Sequence, residues 1–279
     1  MSNAPDHRTV SCSIEFSVTS PAVFAFQIAA AETAGALVDE TLDVTVDGAP
    51  DEVRADEIGS HRGGRTHVVH APPGALSVQY SATVASPDVA VGGDPGVAYD
   101  DEVIVALRQS RYCPSDALGG FASSEFADHL GDPGLAHTVA GWVHDRFAYL
   151  PGASDALDTA LDTLIRHEGV CRDFAHVTVA LCRALGIPAR LVAVYAPGLA
   201  PMDFHAVAEV RLGESWEILD ATRLAPRPSL VRIATGRDAA DTAFATTLEG
   251  TAELVSTAIS AVTEGPLPND DHTGSIVIG

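Results

Sequence analysis

The sequence predicts an α+β protein, with an N-terminal antiparallel β-sandwich followed by a domain of helices and antiparallel strands. Three observations support this fold class. Up to residue 86, several segments alternate apolar and polar residues, as from Val10 to Val18, which is typical of half-buried strands. Between residues 135 and 185, apolar residues recur at helical spacing. After residue 187, alternating segments return and are separated by short turns.

The domain organisation follows from the spacing of these segments. Residues 1–86 are predicted to form the β domain. A small sandwich is indicated by strand-like segments at 10–18, 42–46 and 76–84 and by the turn signal Asp47-Gly48. Residues 87–99 are rich in Gly, Pro and Asp and predict a linker. Residues 100–279 then form the second domain. His61, His67 and His70 cluster loosely, but no carboxylate or cysteine completes a metal-ligand spacing, so we expect surface or turn histidines.

Composition argues against several classes of partner. The chain has 38 acidic and 16 basic residues and a formal net charge of −22, which makes nucleic acid an improbable partner because phosphate contacts supply most of that affinity. No apolar run reaches membrane-spanning length, and the polar start, Met1 to Arg8, lacks a signal-peptide core. We therefore expect a cytoplasmic protein that does not bind membranes. The 4 cysteines show no CxxC pairing and are expected to be thiols.

Three helices are predicted in the second domain. Residues 135–147 form an amphipathic pattern, and residues 154–167 follow, with Ser154 or Asp155 as N-cap and an end near Gly169. The third helix begins near Cys171 and ends at Gly186; its apolar face carries Phe174, Val177, Leu181 and Leu185.

Cys171 is the candidate nucleophile, because a cysteine in the first turn of a helix lies near the positive end of the helix dipole, which favours the thiolate. Downstream, His205 lies on a predicted strand and Asp220 ends the next one, after the turn 213–215. A hairpin would bring the two together. Histidine can activate a thiol, and a carboxylate can orient the imidazole.

The motifs resemble those of the bacterial transglutaminase-like superfamily. The resemblance rests on the segments 169–176 (GVCRDFAH), 180–190 (ALCRALGIPAR) and 203–206 (DFHA) and on the Trp216-x-x-x-Asp220 strand, within a match from about residue 106 to 244. It implies a papain-like core in which the cysteine-bearing helix packs on an antiparallel sheet. It also implies Cys171 as nucleophile, His205 as base and Asp220 as orienting residue.

The resemblance also implies that Tyr112 lies close to the active site formed by Cys171, His205 and Asp220. Tyr112 would either bind substrate, by donating to the oxyanion or lining the acyl pocket, or pack at the edge of the core. Asp173 and His176 are interpreted as scaffolding of the motif, with Asp173 near an arginine and His176 bonded to a neighbouring loop.

The predicted activity is acyl transfer on an amide or peptide bond through a thioester. Hydrolysis by a cysteine peptidase or amidase is favoured, because neither a second-substrate motif nor a calcium-ligand spacing is present. The alternatives are a protein-glutamine transglutaminase and a non-catalytic binding module on the same fold. A metal-dependent hydrolase is disfavoured because no HExxH pattern occurs. We expect a peptide or protein substrate and no cofactor; the oligomeric state is not predicted.

Overall fold

A computed structural model describes residues 7–47, 53–59, 63–86 and 100–279. The predicted linker 87–99, the turn residue Gly48 and His61 lie outside the described residues. The strands and helices follow in the order β1 (His7–Phe26), β2 (Leu37–Val46), β3 (Ala55–Gly59), β4 (Arg65–Ala71), β5 (Gly74–Ala85), α1 (Asp101–Ala106), α2 (Gly119–Glu125), α3 (Leu135–Arg146), β6 (Ala148–Tyr149), α4 (Ala160–Arg166), β7 (Glu168–Gly169), α5 (Cys171–Ala184), β8 (Ala189–Tyr195), β9 (Phe204–Leu212), β10 (Ser215–Leu219), β11 (Val231–Gly236) and β12 (Ala245–Thr263).

The N-terminal part is one strongly bent antiparallel sheet. Its order is β2-β5-β1-β4-β3, and β12 also pairs with β1. The first half of β1 pairs with β5 and its end pairs with β4. The rings of Phe16 and Phe24 lie 5.0 Å apart, although eight residues of straight strand would span about 26 Å. The bend therefore folds the two halves of the sheet onto a shared core, as in a sandwich whose layers share a strand.

Strand β12 lies within residues 100–279, yet it pairs with β1 from Arg8 to Phe26. The pairing slips near the bend of β1, where Gly250 takes a φ of +82° and an added Cβ would lie 2.2 Å from the carbonyl oxygen of Pro21. The sandwich is thus completed by the C-terminal part of the chain.

The second part of the molecule is a four-stranded antiparallel sheet of order β10-β9-β8-β11 with α5 packed against it. Almost all of α5 is buried, and α2, α3 and α4 pack around it. The mixed architecture confirms the predicted α+β class. The two parts are continuous, because Tyr195 of β8 donates to the Ile28 carbonyl at 2.8 Å and lies in the core of the N-terminal sheet.

Local predictions differ from the structure at two places. The helix before Cys171 begins only at Ala160 and is capped by Thr159, whose hydroxyl and backbone N–H both bond the Asp162 carboxylate, so the predicted cap at Ser154 or Asp155 is wrong. His67 is buried beside Glu57 and is not a surface residue. Near the C-terminal end, a backbone bond joins the Ile218 N–H to the carbonyl of Ile276. In the described part of the chain, no helix is long and apolar enough to cross a bilayer.

Candidate active site

Cys171 is the first residue of α5, as predicted. The carboxylate of Asp173 accepts from the backbone N–H of Val170 at 2.8 Å, which caps the helix start. Gly169 permits this, since an added Cβ there would lie 2.7 Å from the Cβ of Asp173. The thiol therefore lies at the positive end of a long helix whose first turn is held rigidly.

Cys171 is also the most accessible of the four thiols. It is half-buried, whereas Cys12, Cys113 and Cys182 are buried. Burial raises the pKa of the Cys12 thiol to about 11 and that of Cys113 and Cys182 to about 12. These three thiols are therefore protonated and shielded at neutral pH, and their side chains serve as small apolar packing groups.

His205 and Asp220 are brought together by the β9–β10 hairpin. The Nε2 atom of His205 lies 2.9 Å from Oδ2 of Asp220, and both side chains are almost fully buried. Burial lowers the pKa of His205, but the charge and hydrogen bond of Asp220 and the neighbouring Cys171 thiol outweigh it and raise this pKa to about 10. The imidazole is thus held as imidazolium at neutral pH, with Nδ1 left for the thiol.

Thr222 fixes the second oxygen of Asp220. Its backbone N–H and its hydroxyl both donate to Oδ1, at 2.9 Å and 2.7 Å. Burial would raise the pKa of Asp220, but the His205 charge and the bonds from His205 and Thr222 hold it below its usual range. The carboxylate therefore stays ionised and oriented towards the imidazole. Thr222 was not predicted from the sequence, although an Asp side chain commonly accepts from the backbone N–H two residues further on.

Thr222→Val should test this orienting bond, since valine keeps the shape and the backbone N–H but removes the hydroxyl. We expect a loss of about 1–3 kcal/mol of unfolding free energy, the cost of removing one donor to a buried charged group. We also expect a fall in kcat that exceeds any change in KM. Denaturant unfolding and steady-state kinetics would measure both. Thr222→Ser, which keeps the hydroxyl, is the control; identical behaviour of the two variants would contradict the role.

Tyr112 and His176 form a separate contact. Their rings stack with centroids 5.3 Å apart, and the Tyr112 N–H donates to Asp238. The His176 ring accepts from the Ala239 N–H at 3.1 Å, which agrees with its predicted bond to a neighbouring loop. These contacts favour the packing interpretation of Tyr112, and its substrate-binding role stays a prediction.

Tyr149 is an aromatic residue near Cys171 that was not predicted from the sequence. The short strand β6 pairs with β7, so that Tyr149 lies opposite Gly169, just ahead of Cys171. Burial and the nearby charges of Cys171 and Asp203 raise the pKa of Tyr149 to about 12, while a hydrogen bond with the Cys171 backbone opposes this. The hydroxyl is therefore protonated at neutral pH, and its oxygen accepts from the Cys171 N–H at the start of α5. Its position depends on pairing between two-residue strands, which leaves no recognisable pattern in the sequence.

Comparisons with known proteins identify the family to which the chain is similar. A model of the transglutaminase-like superfamily matches residues 127–221, a range that includes Cys171, His205 and Asp220. The crystal structure of a candidate cysteine protease from Cytophaga hutchinsonii is 33% identical, with a TM-score of 0.86 over 99% of this chain and 97% of that one. An uncharacterized protein of Mycobacterium leprae is 32% identical over 95 residues, which is 34% of this chain and 33% of that protein.

The match to the Cytophaga protein extends over both the bent N-terminal sheet and the sheet with α5, so the relationship is not limited to the residues of the family model. The sequence similarity, the shared fold and the matching family model together assign the chain to the transglutaminase-like superfamily, to which it belongs.

Proposed function

We propose that the protein catalyses thiol-dependent acyl transfer on an amide or peptide bond and acts as a cysteine peptidase or amidase. One observation carries this proposal: an accessible thiol at a helix N-terminus lies next to a buried imidazole that a buried carboxylate keeps protonated. An imidazolium beside a thiol stabilises the thiolate, which is the reactive nucleophile. Membership of the superfamily supports the same reaction class.

The reaction would begin with attack of the Cys171 sulfur on the carbonyl carbon, which moves the C=O π electrons onto oxygen. As the tetrahedral intermediate collapses, the C–N bond breaks and His205 gives its Nδ1 proton to the leaving amine. The product is a thioester. Water then attacks with neutral His205 taking its proton, the C–S bond breaks, and the acid leaves behind the thiolate–imidazolium pair.

The oxyanion would form at the start of α5. The backbone N–H of Cys171 is the first donor, because it lies at the helix N-terminus and has no partner within the helix; it would exchange its bond to the Tyr149 oxygen for one to the oxyanion. The Tyr149 hydroxyl, which stays protonated at neutral pH, would then serve as the second donor. The substrate would be a peptide or protein, and a cytoplasmic location stays a prediction.

Trapping the thioester tests the proposal and separates its alternatives. A panel of peptidyl p-nitroanilides would be mixed with the protein, quenched in acid, and the acyl adduct located by peptide mass mapping. We expect an adduct on Cys171 that discharges mainly to the free acid when glycinamide is present. Discharge mainly to the glycinamide conjugate would instead indicate a transglutaminase. If Cys171 alkylates readily but no substrate gives an adduct, a non-catalytic binding module becomes the better explanation.

A further inference from the structure

Asp203 lies at the mouth of the candidate active site. It directly precedes β9, and only Phe204 separates it from His205. The Phe204 ring turns towards the N-terminal sheet, where it contacts Tyr195 at 5.5 Å and Phe244 at 5.3 Å. Because neighbouring side chains on extended backbone point to opposite faces, Asp203 and His205 share the other face. His205 is buried there, whereas Asp203 is exposed.

A second element connects Asp203 to the thiol. Tyr149 pairs with Gly169 through the backbone. The negative charges of Cys171 and Asp203 both raise the pKa of the Tyr149 hydroxyl. The Asp203 carboxylate and the Cys171 sulfur therefore lie within electrostatic reach of one atom. A substrate bound at the thiol would lie between β6 and the loop that ends at Asp203.

Within the described part of the chain, no cationic side chain neutralises the charge of Asp203. Its Oδ1 accepts from the Phe204 N–H at 2.7 Å, and among the described residues no arginine or histidine forms an ion pair with it. The arginine beside the nucleophile, Arg172, is already engaged, because it bonds to the Ser154 hydroxyl at 2.5 Å and pairs with Asp173 at 3.2 Å.

Exposed apolar side chains neighbour Asp203 and Tyr149 in the chain. Tyr149, Leu150 and Met202 are 39%, 47% and 46% exposed. Leu150 follows Tyr149 on one side of the thiol, and Met202 precedes Asp203 on the other. A substrate that suits such a surface has an apolar stem and a positive end, as a lysine or arginine side chain does.

We propose that Asp203 is a specificity-determining residue that makes the cleft select substrates with a cationic side chain next to the amide that reacts. This inference rests on the proposed acyl-transfer function and names its substrate class. An exposed carboxylate gives a modest preference, about three- to fivefold for one ion pair. That preference should shrink at high ionic strength, since salt screens exposed charges.

The first test requires no turnover. Cys171 would be modified with a cationic and an anionic methanethiosulfonate reagent of equal size, and the ratio of the two rate constants would be followed by intact mass. We expect the ratio to fall about three- to fivefold in Asp203→Asn and further in Asp203→Lys. The matched control is Asp43→Asn, which removes the same charge from an exposed position on β2. An unchanged ratio in Asp203→Asn, or an equal fall in Asp43→Asn, would overturn the inference.

The second test uses substrates. Peptides that differ only in lysine or glutamine beside the reacting amide would be compared by kcat/KM in the wild type and in Asp203→Asn. We expect the lysine peptide to be preferred by the wild type alone, with the difference reduced at about 0.5 M salt. Turnover without any such preference would refute the role of Asp203 and leave the acyl-transfer proposal intact. Absence of the Cys171 thioester would refute acyl transfer, while the reagent ratio would still decide the role of Asp203.

Discussion

Replacing Cys171 by alanine is expected to reduce amide turnover by about four to six orders of magnitude, the range seen when a covalent nucleophile is removed. The reason is that no other described thiol can take over. Cys12, Cys113 and Cys182 are buried, and burial raises the pKa of each. The measurement is kcat/KM on any substrate that gives the Cys171 thioester, with residual rates compared with the uncatalysed reaction.

Stability provides the control for this variant. Because Cys171 is half-buried at a helix start, its truncation should leave the unfolding midpoint almost unchanged. Cys182→Ala should behave in the opposite way, since Cys182 is fully buried in the core around α5. It should lose about 1 kcal/mol of stability through the cavity it leaves and keep its turnover. Turnover that survives in Cys171→Ala would exclude Cys171 as the nucleophile.

The parts of the site that the sequence predicted lie in short, contiguous segments. The helix start at Cys171 was predicted because a glycine-led turn precedes a helix with a clear apolar face. The hairpin of β9 and β10 was recognised because strand alternation resumes on both sides of the turn at Gly213. In each case the local pattern and the final structure agree, since the determining contacts are close in the sequence.

Burial of polar side chains was much harder to predict. Glu209 occupies a polar position in the alternating pattern of β9, yet it is fully buried between Arg190 and Arg232. Burial would raise the pKa of Glu209, but the two guanidinium groups lower it to about 2. Alternation identifies which residues share a face of the strand, and it does not say whether that face meets solvent.

Long-range pairing explains the other differences. β12 is mostly exposed and rich in threonine, alanine and glutamate, so it lacks a strong apolar pattern. Its position is determined by the long edge of β1, more than two hundred residues earlier in the chain, as in the pairing of Arg8 with Thr263. The unpaired backbone N–H and C=O groups of an edge strand can pair with many different strands. The sequence of the added strand alone therefore does not identify its partner.

Asp220→Asn is expected to lower kcat by about two to four orders of magnitude while changing KM little, as an amide in place of an orienting carboxylate does in other triads. The carboxylate does two things for His205: its charge raises the pKa of the imidazole to about 10 against the effect of burial, and its hydrogen bond fixes Nε2. Asparagine keeps the shape and loses the charge. The measurement is the pH dependence of kcat/KM and of Cys171 alkylation.

The direction of the pH change follows from these pKa values. In the wild type, activity that requires the imidazolium should fall only as pH rises through about 10. In Asp220→Asn, the Asp220 charge no longer outweighs the effect of burial on the His205 pKa, so the fall in activity should begin at lower pH. The active pH range therefore narrows on its basic side.

Stability should show the same coupling between His205 and Asp220. Because the pKa of His205 is raised on folding, His205 contributes stability to the fold. This contribution is fully present below the unfolded pKa of about 6.5 and is lost as pH rises through the folded pKa of about 10. Because the pKa of Asp220 is lowered on folding, its carboxylate also contributes stability. This contribution is present above the unfolded pKa of about 3.9 and is lost as pH falls below that value. The stability difference between wild type and Asp220→Asn should therefore be largest between about pH 4 and 6.5. Thr222→Val leaves the charge of Asp220 in place, so its kcat/KM should fall at the same high pH as in the wild type. If Thr222→Val and Asp220→Asn both move this fall to lower pH by the same amount, loss of orientation rather than loss of charge is the cause.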